Sequence, residues 1–450
     1  MTLFNQQRQI AFTLDLDGLR RGLYSDKYFE NIQRMMSALD DQGYRFPGEN
    51  PRFASDRVAG AEVANMPVEM QIFTRRSPYA LIGGVDYALA LLRHAAGSFD
   101  EQGEFIAAWP DLEVDAVQDG VVIPYNGTLK TVRPVLRIRG VYRQFALLET
   151  PILGALTRIS RVATNVYRTL QAARGKSVLF FPARFDLYHT QAADGYAYHL
   201  AVERYNYDHD GSLRPFISTD AQGAWWAGSG GGTIPHAVIA TFFGNTSEAM
   251  LQFAATQTPQ TARIALVDFE NDCVATSVQV LQAMFDRYRS LIDAGDSEQA
   301  DRYKLFGVRL DTGGEMRDSS VEALGDPQLD FGVVPRLVTA VREALDHAWE
   351  GWNIPNDWRE RAAAYCRDVR IAVTGGFTTE KIDLFERLGV PADIYGVGSS
   401  FFANGGAAKT DFSADLVRVK HNGEWLDMAK RGRGATDNPD LVRIPPDYAD

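Results

Sequence analysis

The chain has 450 residues, with 46 Lys and Arg against 58 Asp and Glu, a formal net charge of −12 at pH 7. That length exceeds one ordinary hydrophobic core and predicts two domains. The acidic balance, with no Lys/Arg run longer than the short "KRGRG" at 430–434, argues against nucleic-acid binding. Two cysteines, Cys273 and Cys366, provide neither a disulfide framework nor a metal-binding pattern. No stretch approaches ~20 apolar residues, and the N-terminus lacks a basic region followed by an apolar one. The expectation is a soluble, cytoplasmic protein with no membrane span.

In chain order, "SDKYFENIQRMMSALDDQGY" opens on a Ser/Asp start signal, keeps helical spacing and stops at Gly43. "AEVANMPVEMQIFTRR" reads as strand, and "YALIGGVDYALALLRH" turns helical. "AVQDGVVIPYNGTLKTVRPVLRIRGVYRQF" carries turn signals at Asp119-Gly120 and Asn126-Gly127 between β-rich runs, predicting a small antiparallel sheet. A helical stretch, "LLETPILGALTRISRVATNVYRTLQAARG", follows. Beyond Gly175 the rhythm changes. "SVLFFPAR", "RPFISTD", "ARIALVDFEND", "LFGVRLDTGG", "RIAVTGG" and "ADIYGVGSS" are short apolar runs with polar ends, several separated by helical segments. This alternation predicts a parallel sheet and an α/β barrel, whose functional groups collect at the C-terminal strand ends. After Lys409 comes strand-like "ADLVRVK".

The strand ends carry the chemistry. Thr374, Gly375 and Gly376, and then Gly396 to Ser400 with Gly398 and Ser399, follow two successive apolar runs. Glycines let backbone amides approach an anion closely, so the pair predicts a phosphate cup; two plain tight turns are the alternative. Arg309 and Asp311 stand two apart on a strand and share a face, suited to a diphosphate with a metal or hydroxyl; a surface ion pair is the rival reading. Asp268 and Asp272 are candidates for Mg²⁺ or, equally, for helix N-caps. His236 follows a glycine-rich turn and a proline, a position open to a structural or a catalytic imidazole. Phe181 could stack on a flat ring and Arg184 could pair with an anion. Asp220 ends another run. Walker-A, C-x-x-C and H-E-x-x-H sequences are absent.

Taken in order, these segments resemble the nicotinate/nicotinamide branch of the type II phosphoribosyltransferases, the nicotinate phosphoribosyltransferase family. "LYSDKYF" places Tyr24 where the family has a tyrosine that stacks on the pyridine ring. "FPARFD" places Phe181 and Arg184 in the ring-stacking and essential-arginine positions. "GTIPHAV" is similar to the family's Gly-Thr-x-Ala-His segment, matching Thr233 and the phosphorylated histidine, His236. "LVDFEND" and "GVRLDTGG" supply Asp268, Arg309 and Asp311, and "VTGGFTTEKI" with "YGVGSS" resembles the loops around the 5′-phosphate.

The resemblance implies an α/β (overall α+β) fold: an open-faced β-sandwich domain, 1–145 completed by 405–450, joined to an irregular α/β barrel, 146–404. It implies a homodimer in which Tyr24 reaches the partner's site. The implied reaction joins nicotinate to 5-phosphoribosyl-1-diphosphate, releasing diphosphate and giving nicotinate mononucleotide for NAD salvage. ATP hydrolysis would be coupled through phosphorylated His236, the hallmark of the ligase class. Mg²⁺ would sit on Asp268 and Asp311, and Asp311 would hydrogen-bond the His236 imidazole. Two departures stand out. The family's Asp-Ser-Gly-Asp reads "DTGGE" here, with Gly314 and Glu315 in place of the second acid. Asp220 stands where nicotinamide-using members carry an Asp, which leaves nicotinamide as an alternative base. A non-catalytic phosphate-binding barrel is a third reading.

Overall fold

The computed structural model describes residues 11–446. The first ten residues, which open the stretch read for a secretion signal, and the last four lie outside the described residues. Among the described residues, no helix is long and apolar enough to cross a membrane.

The strands that frame the site are β1 (Pro67–Thr74), β2 (Glu113–Ala116), β3 (Pro134–Val141), β4 (Ser177–Phe180), β5 (Ile264–Leu266), β6 (Gly307–Leu310), β7 (Arg370–Val373), β8 (Ile394–Val397), β9 (Phe412–His421), β10 (Glu424–Asp427) and β11 (Val442–Ile444). Six of them form one antiparallel sheet in the order β10-β9-β1-β3-β2-β11. The sheet therefore takes half its strands from residues 67–141 and half from 412–444. One face carries an apolar layer that includes Val68, Met70, Ile72, Val114, Leu136 and Ile138, which packs with Leu89 and Leu92 of helix Val85–Ala95. Between these positions, alternation along the strands places charges side by side. Buried Glu69 accepts from Arg139 at 2.6 Å and Arg418 at 3.3 Å, and Asp115 accepts from Arg443 at 2.6 Å.

The other five strands form a parallel sheet in the order β4-β8-β7-β6-β5. The segment expected as a strand at "RPFISTD" joins it only through single bridges, from Ile217 to Phe180 and to Gly230. This α/β unit is thus irregular, with one wall built from isolated bridges. β5 to β8 are almost wholly buried, as parallel strands covered on both faces must be, while the edge strand β4 buries only every second residue. Helices Cys273–Asp293 and Pro335–His347 cover it with Val280, Leu281, Met284, Leu337, Val338 and Val341.

One helix, Glu149–Ala172, belongs to both units. Its first half gives Ile152 and Leu156 to the antiparallel sheet's core, and its second half gives Ile159, Val162, Val166 and Leu170 to the barrel's. Both cysteines are free and buried.

Candidate active site at the barrel mouth

The mouth is assembled from the loops that leave the parallel strands. After β5 the chain turns through Asp268 and starts helix Cys273–Asp293 at Asp272, whose carboxylate accepts from the Ala275 amide at 2.9 Å. The cap therefore occupies Asp272. Asp268, four residues earlier, faces a different partner. His236 is the first residue of helix His236–Thr241, set there by Pro235 at the preceding position. Its Nε2 lies 2.9 Å from Asp268 Oδ1 and 3.0 Å from Oδ2. The imidazole is 45% exposed and the carboxylate 9%.

This corrects the expectation that Asp311 holds the imidazole. Asp311 Oδ1 instead accepts from Thr374 Oγ1 at 2.7 Å. The same hydroxyl lies 3.1 Å from the Leu310 carbonyl, and Thr374 is buried. Thr374 thus ties the end of β7 to the end of β6, which leaves the cup its backbone and the neighbouring glycines as donors.

Burial raises the Asp268 carboxyl above the ordinary carboxylate range; the His236 contacts oppose this and the nearby Asp311 charge adds to it. Arg309 points into the same space. Burial lowers its guanidinium, Asp311 and Asp268 raise it, and Arg184 lowers it, so all three charges lie within electrostatic reach of Arg309. Arg309 Nη2 donates to the Ile234 carbonyl at 3.4 Å, just upstream of His236, while its buried Nε has no partner among the described residues. An unpaired guanidinium edge beside two carboxylates suits an anionic ligand.

The glycine turns show why glycine is required. Gly375 and Gly376 have φ of +84° and +73°. A Cβ on Gly396 would lie 2.4 Å from Thr374 Cγ2 and 2.9 Å from Phe181 Cε1. The Phe181 ring therefore lies against β8, where its amide also donates to Val397 O at 3.2 Å. Phe185, which the sequence did not single out, covers Gly398: a Cβ there would meet its ring at 2.7 Å. Arg184 is exposed, with its guanidinium 5.6 Å from the Phe185 ring centre. Ser399 is exposed, and Ser400, the last residue of the same predicted stretch, donates to the Phe377 carbonyl at 3.2 Å and so joins the two turns.

Three expected residues stand elsewhere or are engaged. Asp220 Oδ1 accepts from the Gly230 amide at 2.8 Å, which staples the glycine-rich loop leading to His236. Thr233 Oγ1 donates to Ile234 O at 3.4 Å. Tyr24 donates to Asp15 at 2.6 Å and lines a groove of about 640 Å³ with Tyr87, Trp225 and His189, a group that does not include Phe181.

No protein-family model matches the sequence, and no curated protein matches it. Solved structures do. A nicotinate-nucleotide pyrophosphorylase from Pyrococcus furiosus superposes with a TM-score of 0.61 at 23% identity, over 96% of this chain and 85% of that one. Human nicotinic acid phosphoribosyltransferase superposes at 0.55 and 14% identity, over 88% of this chain and 75% of that one. This chain has the nicotinate phosphoribosyltransferase fold. Within that fold, the His236–Asp268 pair, Arg309 and the glycine turns occupy the ends of the parallel strands, where such sheets place ligands.

Among the described residues, no group of three or more His, Cys, Asp and Glu is arranged to hold a metal. Asp268 and Asp311 lie close enough for one to shift the other's titration. A pair of carboxylates completed by substrate phosphates is a fitting donor set for Mg²⁺.

Proposed function

We propose that this protein transfers the phosphoribosyl group of 5-phosphoribosyl-1-diphosphate to a pyridine base, with nicotinate as the base and ATP as co-substrate. The observation that carries the proposal is the His236–Asp268 pair beside Arg309, its imidazole half-exposed at the strand ends and its carboxylate buried beneath. With Nε2–H donated to Asp268, the lone pair of His236 Nδ1 is free to attack the terminal phosphorus of ATP. The P–N bond forms as the bond to ADP breaks, and Asp268 balances the charge on the ring.

The transfer itself passes through an oxocarbenium-like ribosyl centre, so the protein's part is to hold leaving group and base in line. Arg309 and Arg184 stabilise negative charge gathering on the departing diphosphate. The amides of Gly375, Gly376 and Gly398, with Ser399, hold the 5′-phosphate. Phe181 offers a ring face to the base, which Tyr24 of a second copy would cover in a homodimer. Asp268 and Asp311 would hold Mg²⁺, whose charge would neutralise the diphosphate.

Asp220 accepts from the Gly230 amide through Oδ1 alone and keeps Oδ2 as an acceptor, so nicotinamide stays the alternative base. The likeness to the human nicotinic acid phosphoribosyltransferase supports nicotinate as the base.

The test offers purified protein 5-phosphoribosyl-1-diphosphate and Mg²⁺ with nicotinate, nicotinamide or quinolinate, with and without ATP. Diphosphate release that needs nicotinate and is stimulated by ATP is expected, with the stimulation lost in His236→Ala. No release with any base would overturn the proposal. Release unaffected by ATP would remove the phosphohistidine from it.

A further inference from the structure

The turn that leaves β4 has little packing to hold it. Arg184 to His189 are six successive exposed residues, with Leu187 69% and Tyr188 72% open to solvent. A segment with so few buried contacts lies at the low end of local stability. Arg184 also stands there against repulsion, since it is within electrostatic reach of Arg309, and among the described residues it makes no ion pair. Even so, the turn is set down with Phe185 over Gly398 at the end of β8. Its anchor is polar.

Arg158, on the helix that both cores share, reaches this turn from behind. Its Nε donates to Asp194 Oδ1 at 2.8 Å, and its Nη2 lies 2.9 Å from Asp194 Oδ2. This is a two-pronged grip on a carboxylate only 2% exposed, in the first turn of helix Gln191–His209. The same Nη2 lies 2.8 Å from Asp186 Oδ2 and 3.0 Å from Thr190 Oγ1. The other oxygen of Asp186 accepts from the Leu187 amide at 2.7 Å. The guanidinium is also 5.3 Å from the ring centre of Phe402, in the turn after β8. Burial works against the Arg158 charge, and the bonds to Asp194 and Asp186 outweigh it. The two carboxylates differ in what else fixes them. Asp194 belongs to a long helix, whereas Asp186 sits in the exposed turn, two residues after Arg184, and depends on Arg158 and its own neighbour.

We propose that Arg158 is a positioning residue for the transfer: through Asp186 it holds the turn after β4 so that the Arg184 guanidinium faces the diphosphate departing from the barrel mouth. The proposal rests on the transfer reading above. Arg158 itself touches neither substrate. Arg184 brings the charge, and Arg158 ties an exposed turn to two rigid helices, so that less ordering remains to be done as charge gathers on the leaving group.

Steady-state kinetics of diphosphate release by the full-length protein, with nicotinate and 5-phosphoribosyl-1-diphosphate each varied, test it. Arg158→Gln would leave the buried Asp194 carboxylate unpaired at a cost to folding. The first variant is therefore Asp186→Ala, which keeps the Arg158–Asp194 bonds. It should lower kcat by about tenfold with smaller changes in either KM, the signature of an interaction made in the transition state. Arg158→Lys, which keeps the charge without the fork, should lower kcat to a similar level. A double-mutant cycle decides between positioning and a general structural role: in an Arg184→Ala background, Asp186→Ala should have no further effect on kcat. The inference is overturned if Asp186→Ala or Arg158→Lys turns over as wild type does, or if Asp186→Ala lowers kcat equally with and without Arg184. Wild-type protein that releases no diphosphate would overturn the transfer reading and this inference with it, whereas unchanged turnover in Asp186→Ala overturns the inference alone.

Discussion

Asp268 receives the imidazole of His236 on both of its oxygens, 2.9 and 3.0 Å from Nε2, from a position nearly closed to solvent. A carboxylate so placed orients the ring and disfavours being charged at the same time. Asp268→Asn should therefore reduce ATP-stimulated turnover on the order of 10²–10⁴-fold, the scale for loss of an orienting carboxylate, with little effect on base binding. Steady-state assays with and without ATP check this.

The same substitution should leave the fold equally or more stable at pH 8. Burial raises the folded carboxyl above its ordinary 3.8, so the folded state binds the proton more tightly than the unfolded one. The stability this confers is full below the unfolded value and is lost as pH rises through the raised folded value. Replacing the group removes that loss. Melting midpoints of the two proteins should diverge toward high pH and converge in acid; a lower midpoint for the variant at pH 8 would refute this.

Glu149, in the first turn of the helix shared by both cores, is pushed up to about 7 from 4.5 by burial and then by Asp415 and Asp26. Here too the folded state holds the proton more tightly, so stability should decline as pH rises from about 4.5 to about 7. Glu149→Gln should flatten that slope, as measured by denaturant midpoints across the window.

Asp272→Ala should cost about 1 kcal/mol by removing an N-cap, and turnover should persist. A loss of Mg²⁺ dependence would instead make Asp272 a metal ligand, against its bond to Ala275.

Gly396→Ala would set a Cβ against Thr374 and Phe181 at distances no side chain tolerates. A destabilisation of about 1–3 kcal/mol is expected from such overpacking. Because Thr374 also holds Asp311, turnover should fall more steeply than stability. Chemical denaturation alongside kinetics separates the two effects.

The strand ends were legible because each apolar run stops at a polar residue or a glycine, a local signal. Which strand-end acid meets His236 was not. Asp268 and Asp311 both lie just beyond parallel strands, and only the packing of the 230–236 loop chooses between them. Helix Gln191–His209 escaped notice for a related reason: Tyr196, Ala197, Tyr198, Leu200, Ala201 and Val202 are all buried, so no polar stripe marks its period. "RPFISTD" read as a strand on composition, but Phe216 and Ile217 serve the sheet through single contacts alone. Tyr24 had no local signal for its groove, because only its partner Asp15 is near in sequence while Tyr87, His189 and Trp225 come from distant segments.

The antiparallel sheet has a consequence for biosynthesis. β1 is flanked by β3, which emerges within a hundred residues, and by β9, which begins more than three hundred residues later. At typical synthesis rates of about 5–20 residues per second, β1 waits on the order of tens of seconds for its second neighbour. Throughout that interval it is an edge strand of high apolar content, open to pairing with another nascent chain. The barrel, whose strands all lie between β4 and β8, can meanwhile close. Holding β1 apart until β9 arrives is therefore a task for the cell as much as for the sequence.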